Sequence, residues 1–146
     1  MNRPLLAVLA FCLFVAGCGQ EQKSDVDISM TTVVWQGYIN EDPQMLKYFD
    51  ETTSCLETYG YSYNGYPYVF ITAGEFNCGG EIGTAGCANS STNKIYIQVD
   101  WSCHSVLDSS CPTDVLKEEI IHWETGKGNE YLSEPFFHNC KFPVPL

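Results

Sequence analysis

The cysteine content constrains this chain more than any other feature of its sequence. Eight cysteines occur among 146 residues, and six of them follow residue 50: Cys55, Cys78, Cys87, Cys103, Cys111 and Cys140. An even number of cysteines in a small exported domain is typical of a disulfide framework formed in an oxidising compartment. A zinc cluster is the alternative, but the chain contains no Cys-x-x-Cys pair to support one.

Sequence alone leaves fifteen ways to pair six cysteines. Local closure is favoured, because two pairs bracket short stretches, one rich in glycine and one polar: Cys78–Cys87 and Cys103–Cys111. The remaining pair would join an early helix to the C-terminal region: Cys55–Cys140. Each bridge is expected to stabilise the domain by about 2–4 kcal/mol.

The N-terminus has the features of an export signal. Arg3 supplies a positive charge, and the apolar stretch Pro4 to Ala16 that follows is too short to span a bilayer comfortably. The segment Val15-Ala16-Gly17-Cys18 resembles the lipobox of bacterial lipoproteins. The resemblance implies cleavage before Cys18 and lipidation of Cys18, including acyl chains such as palmitate, and several chains on one residue anchor a protein stably. An ordinary secretory signal with a coincidental cysteine is the alternative.

These features predict a lipid-anchored protein of the bacterial cell envelope. Gly19 rather than Asp follows the acceptor cysteine, which favours the outer membrane in the sorting rule of enteric bacteria. We expect a signal peptide over residues 1–17, a polar flexible tether over 18–30 and a single domain over 31–146. We expect a monomer whose membrane contact is the anchor at Cys18.

The charge balance argues against one class of partner. Lys and Arg number 7 against 18 Asp and Glu, which gives a formal net charge of −11. Such a surface repels phosphate backbones, so nucleic acid is not expected to bind.

Hydrophobic patterning predicts an α+β domain, with a short mixed or antiparallel sheet packed against two main helices. Three segments rich in β-branched and aromatic residues are typical of strands: Thr31–Tyr38, Tyr68–Thr72 and Lys94–Val99. Asp42-Pro43 has the form of a helix start, and Gly60 can end that helix.

A second helix is predicted from Thr113 or Asp114 to Thr125, with Gly126 as its stop. The tail from Gly128 contains three prolines and is predicted to be irregular.

This second helix carries the main candidate site. Glu118 and His122 are neighbours on its surface at positions i and i+4, and Glu119 falls in the apolar arc between Val115 and Trp123. Burying a charge is costly, so a lone carboxylate is rarely placed in such an arc without a partner.

The run Glu118-Glu119-Ile120-Ile121-His122 resembles the HExxH helix of zincin metallopeptidases, with Glu in place of the first His. In that family the two His bind Zn²⁺ and the Glu between them activates the metal-bound water. An alternating strand at 95–99 stands upstream, as the zincin edge strand does. Residues 125–129 and 133–137 are also similar to the C-terminal stretch of small bacterial zincin-like lipoproteins. The resemblance covers 40–140 in layout and 118–140 in motif.

Residue by residue, the resemblance makes His122 the second metal ligand and Glu119 the general base. Glu118 stands at the first ligand, and a carboxylate can bind zinc. No His occupies the usual third position, so the candidates for the third ligand are Glu130, Glu134 and His138. Three interpretations stay open: an ordinary amphipathic helix, a zincin-like domain that has lost its metal, and a working zinc peptidase.

A second function class rests on a dense run of tyrosines: Tyr59, Tyr61, Tyr63, Tyr66 and Tyr68. An aromatic loop containing glycine can form an adaptable surface for sugars or peptides, as in a lipid-anchored binding module for a peptide or protein partner. The same rings can equally pack a strand and its lead-in.

Overall fold

The computed structural model describes residues 26–79, 81–82, 85–98 and 114–141. Within these residues the chain folds as an α+β domain. The strands are β1 (Val26–Asp27), β2 (Thr32–Tyr38), β3 (Tyr68–Ala73), β4 (Asn77–Cys78), β5 (Glu81–Ile82), β6 (Gly86–Asn89) and β7 (Lys94–Gln98). The α-helices are α1 (Pro43–Glu57), α2 (Asp114–Thr125) and α3 (Pro135–Lys141). The predicted lipidation site Cys18 and the predicted Cys103–Cys111 bridge lie outside the described residues.

The main sheet is mixed, as predicted. Its order is β2-β3-β7-β6, with β3 and β7 parallel and the other neighbours antiparallel. The strand predicted over 95–99 was expected at the edge, and that expectation is wrong. A tight turn at Asn93, whose φ is 58°, returns β7 alongside β6, and β6 therefore forms the edge. Val99 lies outside the described residues.

Helix α1 begins as the sequence predicts. The Asp42 carboxylate accepts hydrogen bonds from the N–H groups of Gln44 and Met45, both at 2.9 Å, and Pro43 fills the first helical position. The helix ends at Glu57, and Gly60 then adopts a φ of 87° in the turn that follows. The predicted cap and stop are both confirmed.

The core lies between the main sheet and helices α1 and α2. Its buried side chains are Ile39, Met45, Phe49, Val69, Ile71, Ile95, Ile97, Leu116, Ile120 and Trp123. The opposite face of the sheet is covered as well, because Tyr96 packs there with Phe76 and Cys87. Strand β7 is thus buried on both faces.

A second, small sheet of order β1-β4-β5 begins inside the predicted tether. Val26 pairs with Cys78 of β4, and Val26 and Ile28 pack against the Phe76 cluster. The Cys78–Cys87 disulfide joins β4 to β6, as predicted. Residues 26–28 therefore belong to the folded part, which starts earlier than residue 31.

The C-terminal tail is helical where an irregular chain was predicted. Pro135 occupies the first position of α3. A backbone N–H there would have no partner within the helix, so its absence does not destabilise the helix. Phe136, Phe137 and Cys140 are buried, and the predicted Cys55–Cys140 disulfide fastens α3 to α1. The prolines in this stretch were interpreted as breakers, but this one starts a helix.

The two disulfides should stabilise the domain unequally. Cys55–Cys140 closes a loop of 85 residues and Cys78–Cys87 a loop of 9. Loop-closure entropy then predicts a loss of about 4–5 kcal/mol in unfolding free energy for Cys55→Ala/Cys140→Ala, against about 2–3 kcal/mol for Cys78→Ala/Cys87→Ala. Each pair includes one buried cysteine, so the loss of packing is similar. Urea unfolding of both variants measures the difference, and an equal or reversed ranking would contradict it.

Candidate functional site

Helix α2 presents the candidate residues in a fixed orientation. It packs against β6, β7, α1 and α3, and Leu116 and Ile120 anchor it in the core. Gly126 ends it with a φ of 65°, and its N–H binds the carbonyl of His122. Three neighbouring side chains of this helix, Glu118, Glu119 and His122, then meet three different environments.

Glu119 is buried against the edge strand. Its residue is only 7 % exposed, and it lies against Gly86 of β6 so closely that a Cβ added there would fall 2.6 Å from Glu119 Cγ. Among the described residues, no hydrogen bond to its carboxylate is present. Burial raises the pKa of Glu119 to about 8, although His122 acts in the opposite direction. Glu119 therefore holds its proton at neutral pH.

Glu118 lies between two basic groups. Its Oε2 accepts a hydrogen bond from the ammonium of Lys141 on α3, and its Oε1 is 3.9 Å from His122 Nε2. The interaction with His122, followed by that with Lys141, outweighs burial and lowers the pKa of Glu118 to about 2. Glu118 is therefore a carboxylate whose charge is already balanced inside the protein.

His122 is held by a hydrogen bond at one ring nitrogen and faces Glu118 with the other. Its Nδ1 is 2.6 Å from the carbonyl oxygen of Lys127, and because a carbonyl only accepts, Nδ1 carries the proton. The ring of Phe137 covers it at 4.9 Å. Burial opposes protonation, but Glu118, the Lys127 carbonyl and Glu119 together raise the pKa of His122.

Two of the three predicted third ligands, Glu134 and His138, do not join this group. Glu134 and His138 are exposed residues, and it is Phe137 of α3 that faces His122. The side chain of Glu130 lies outside the described residues. Within the described ranges, no three His, Cys, Asp or Glu residues are arranged to hold a metal ion.

Two contributors to the site escaped the sequence interpretation. Gly86 belongs to the glycine-rich stretch between Cys78 and Cys87, and it is a strand residue that makes room for Glu119. Lys141 was assigned to an irregular tail, but α3 places it on Glu118. Interpreting Pro135 as a helix start would have suggested the second of these.

A third glutamate of α2 lies in yet another environment. Both carboxylate oxygens of Glu124 are buried and have no hydrogen-bond partner among the described residues. Burial, followed by the nearby charge of Glu57, raises the pKa of Glu124 to about 7. Glu124 was not singled out from the sequence.

The tyrosine-rich stretch mostly packs inward. The rings of Tyr63 and Tyr66 lie 5.0 and 5.4 Å from that of Phe49, and Tyr61 lies 5.3 Å from Phe136. Tyr59 stays exposed, and its hydroxyl accepts a hydrogen bond from Asn139 at 2.7 Å.

The geometry of α2 therefore combines a neutral buried acid, an internally neutralised carboxylate and a fixed histidine. Comparisons of the chain with models of protein families, with curated proteins and with solved structures gave no match. The chemistry of these residues is thus the basis for a functional proposal.

The contribution of Glu119 to stability should depend on pH. Its folded-state pKa of about 8 exceeds the ordinary value of 4.5, so its stabilising effect is complete below about pH 4.5 and is lost as pH rises through about 8. Glu119→Gln should unfold like the wild type near pH 4 and be more stable at pH 7, by about 3 kcal/mol. Urea titrations between pH 4 and 8 measure this difference.

Glu118→Gln provides the control with the opposite sign. The folded-state pKa of Glu118 is about 2, so its stabilising effect is present above about pH 4.5 and is lost as pH falls toward 2. A pH-independent difference between Glu119→Gln and the wild type would contradict the buried, protonated state of Glu119.

Proposed function

We propose that this chain is a lipid-anchored protein of the bacterial cell envelope whose domain is a metal-free relative of zincin metallopeptidases. The lipobox-like segment ending at Cys18 supports the anchor, and the disulfides Cys55–Cys140 and Cys78–Cys87 fit an oxidising compartment. No helix in the described part of the chain is both long and apolar enough to cross a membrane.

The observation that carries the metal-free assignment is the contact of Lys141 with Glu118. In the zincin layout this first motif position must offer a free ligand to a divalent cation. Here the carboxylate of Glu118 is bound to an ammonium, and its other oxygen faces His122. A metal ion at this position would meet the positive charge of Lys141 at close range, in a partly buried setting where like charges repel strongly.

The position of Lys141 is reinforced by its neighbour in the chain. Cys140 is buried and bonded to Cys55, so the end of α3 cannot withdraw from the site without breaking a covalent link. The ammonium therefore acts as a built-in counter-charge in the place where a zinc peptidase would bind its metal.

The protonation of Glu119 agrees with the same proposal. A general base must be able to accept a proton, and without a metal ion burial raises the pKa of Glu119 to about 8 and favours its protonated form at neutral pH. A neighbouring metal ion would favour the charged form, but Glu118 and His122 are engaged elsewhere. We assign Glu119 the role of a neutral buried acid beside Gly86.

The activity of such a domain is binding without hydrolysis. A peptide or protein partner is the proposed ligand class, as for a lipid-anchored binding module. Tyr59 stays exposed, but the inward packing of Tyr63 and Tyr66 gives the tyrosine-rich surface less support.

Zinc measurements test the metal-free assignment. The purified wild type should contain no stoichiometric zinc, and ZnCl₂ should not raise its melting temperature. Glu118→His/Lys141→Met restores the two-histidine motif and removes the ammonium, so it should gain zinc-dependent thermal stability. Elemental analysis and thermal unfolding with and without ZnCl₂ provide both readouts, since a ligand that binds only the folded state stabilises it.

Glu118→His/Lys117→Met is the matched control. It removes a different lysine, one that binds Glu51 at 3.2 Å, and leaves Lys141 in place. It should gain less from zinc than the Lys141 variant. Stoichiometric zinc in the wild type would overturn the metal-free assignment, and a folded Glu118→His/Lys141→Met protein indifferent to zinc would remove the support for the zincin relationship.

Metabolic labelling with a palmitate analogue tests the anchor. Label should be incorporated into the wild type and lost in Cys18→Ser, because the acyl chains depend on that residue. Cys12→Ser is the control, since it removes the other cysteine of the N-terminal segment and should keep the label. Equal labelling of wild type and Cys18→Ser would show that the chain is not anchored through Cys18.

A further inference from the structure

Among the described residues, the large apolar side chain most open to solvent is Met30, which is 91 % exposed. It lies three residues after β1, close to where the described chain begins. It sits in a tight turn closed by a hydrogen bond from Thr31 N–H to the Ile28 carbonyl at 3.2 Å, and the Asp27 carboxylate accepts the N–H of Ser29 at 2.8 Å. The turn thus presents Met30 outward from an ordered backbone.

The base of this turn is firmly attached to the domain. Val26 pairs with Cys78, which is disulfide-bonded to Cys87 of the main sheet. Ile28 packs against the cluster of Phe76 and Tyr96. The backbone that leads into the turn is therefore tied to the main sheet.

The distance to the proposed anchor is short. Eight residue steps separate Cys18 from Val26, a reach of about 29 Å even when fully extended. A domain of this length has a radius of gyration of about 13 Å and is therefore roughly 35 Å across. Anchoring at Cys18 would therefore keep Val26 within about 29 Å of the bilayer surface, which is less than the width of the domain.

We propose that the turn Ile28–Thr31 rests on the membrane to which Cys18 is anchored, with Met30 inserted among the lipids. This inference rests on the proposed lipidation of Cys18, and it names the lipid surface as the partner of this turn. One methionine binds lipid weakly by itself. The anchor makes the contact intramolecular, so the effective concentration of lipid at the turn is high enough for a weak contact to form.

Charge determines which lipids suit this contact. Asp27 is exposed beside the turn, its pKa is lowered by the hydrogen bond from Ser29, and the chain as a whole is strongly acidic. An anionic bilayer would repel this surface. The contact is therefore apolar in origin, stronger on zwitterionic lipids than on anionic ones, and insensitive to added salt on the zwitterionic lipids.

The test uses the full acylated protein reconstituted into phosphatidylcholine vesicles. An environment-sensitive fluorescent amino acid is encoded at position 30 and, in a matched control, at Leu132, which is 47 % exposed in the connection between α2 and α3. Emission from position 30 should shift to the blue and be quenched by brominated lipid. Emission from position 132 should show neither change. Met30→Asp should not alter the melting temperature, because the side chain it replaces is exposed.

The outcomes separate this inference from the proposed function. Intact mass reports acylation of Cys18 independently, so an unacylated protein would refute the anchor itself. An acylated protein whose label at position 30 stays in water would overturn the inference and leave the anchor standing. A blue shift without quenching by brominated lipid would indicate a protein contact instead, and would also overturn it.

Discussion

The disulfide between Cys55 and Cys140 fixes the arrangement of the helices around the candidate site. It fixes α3 against α1 across 85 residues of chain, and α2 lies in contact with both helices. Phe137 of α3 then covers His122, and Lys141, one residue beyond the disulfide, reaches Glu118. The disulfide adds a covalent link to the packing of Phe136 and Phe137, and together they keep the ammonium close to the carboxylate.

The parallel pairing of β3 with β7 determines where strand β6 lies relative to helix α2. Because two parallel neighbours cannot be joined by a tight hairpin, the chain must pass through β4, β5 and β6 before it returns as β7. That path places β6 at the edge and brings Gly86 against α2. The absence of a side chain at Gly86 is what allows a carboxyl group to be buried at this point, so the strand and the helix depend on each other locally.

The features that could be predicted from the sequence are those that local chemistry determines. The Asp42 cap, the stop at Gly126 and both described disulfides were predicted, because capping geometry, positive φ at glycine and local closure can all be inferred from neighbouring residues. The edge position of β6 and the counter-ion of Glu118 were not, since each depends on segments distant in the chain. Pro135 shows the same limit: whether a proline ends or starts a helix depends on what the following residues can bury.

The burial of Glu119 was predictable from its place in the apolar arc, but its chemical state was not. Helix α2 carries three glutamates whose pKa values are about 2, about 8 and about 7 for Glu118, Glu119 and Glu124. The residue type is the same in all three cases, and the difference lies in a basic partner for the first and in burial for the other two. A motif such as E-E-x-x-H specifies positions only, whereas proton transfer and metal binding require particular protonation states. In this chain the ligand position is ionised but neutralised by Lys141, and the base position is neutral. A zinc peptidase would need a carboxylate free to bind the metal at the first position and an ionised base at the second, and Glu118 and Glu119 offer neither in this structure.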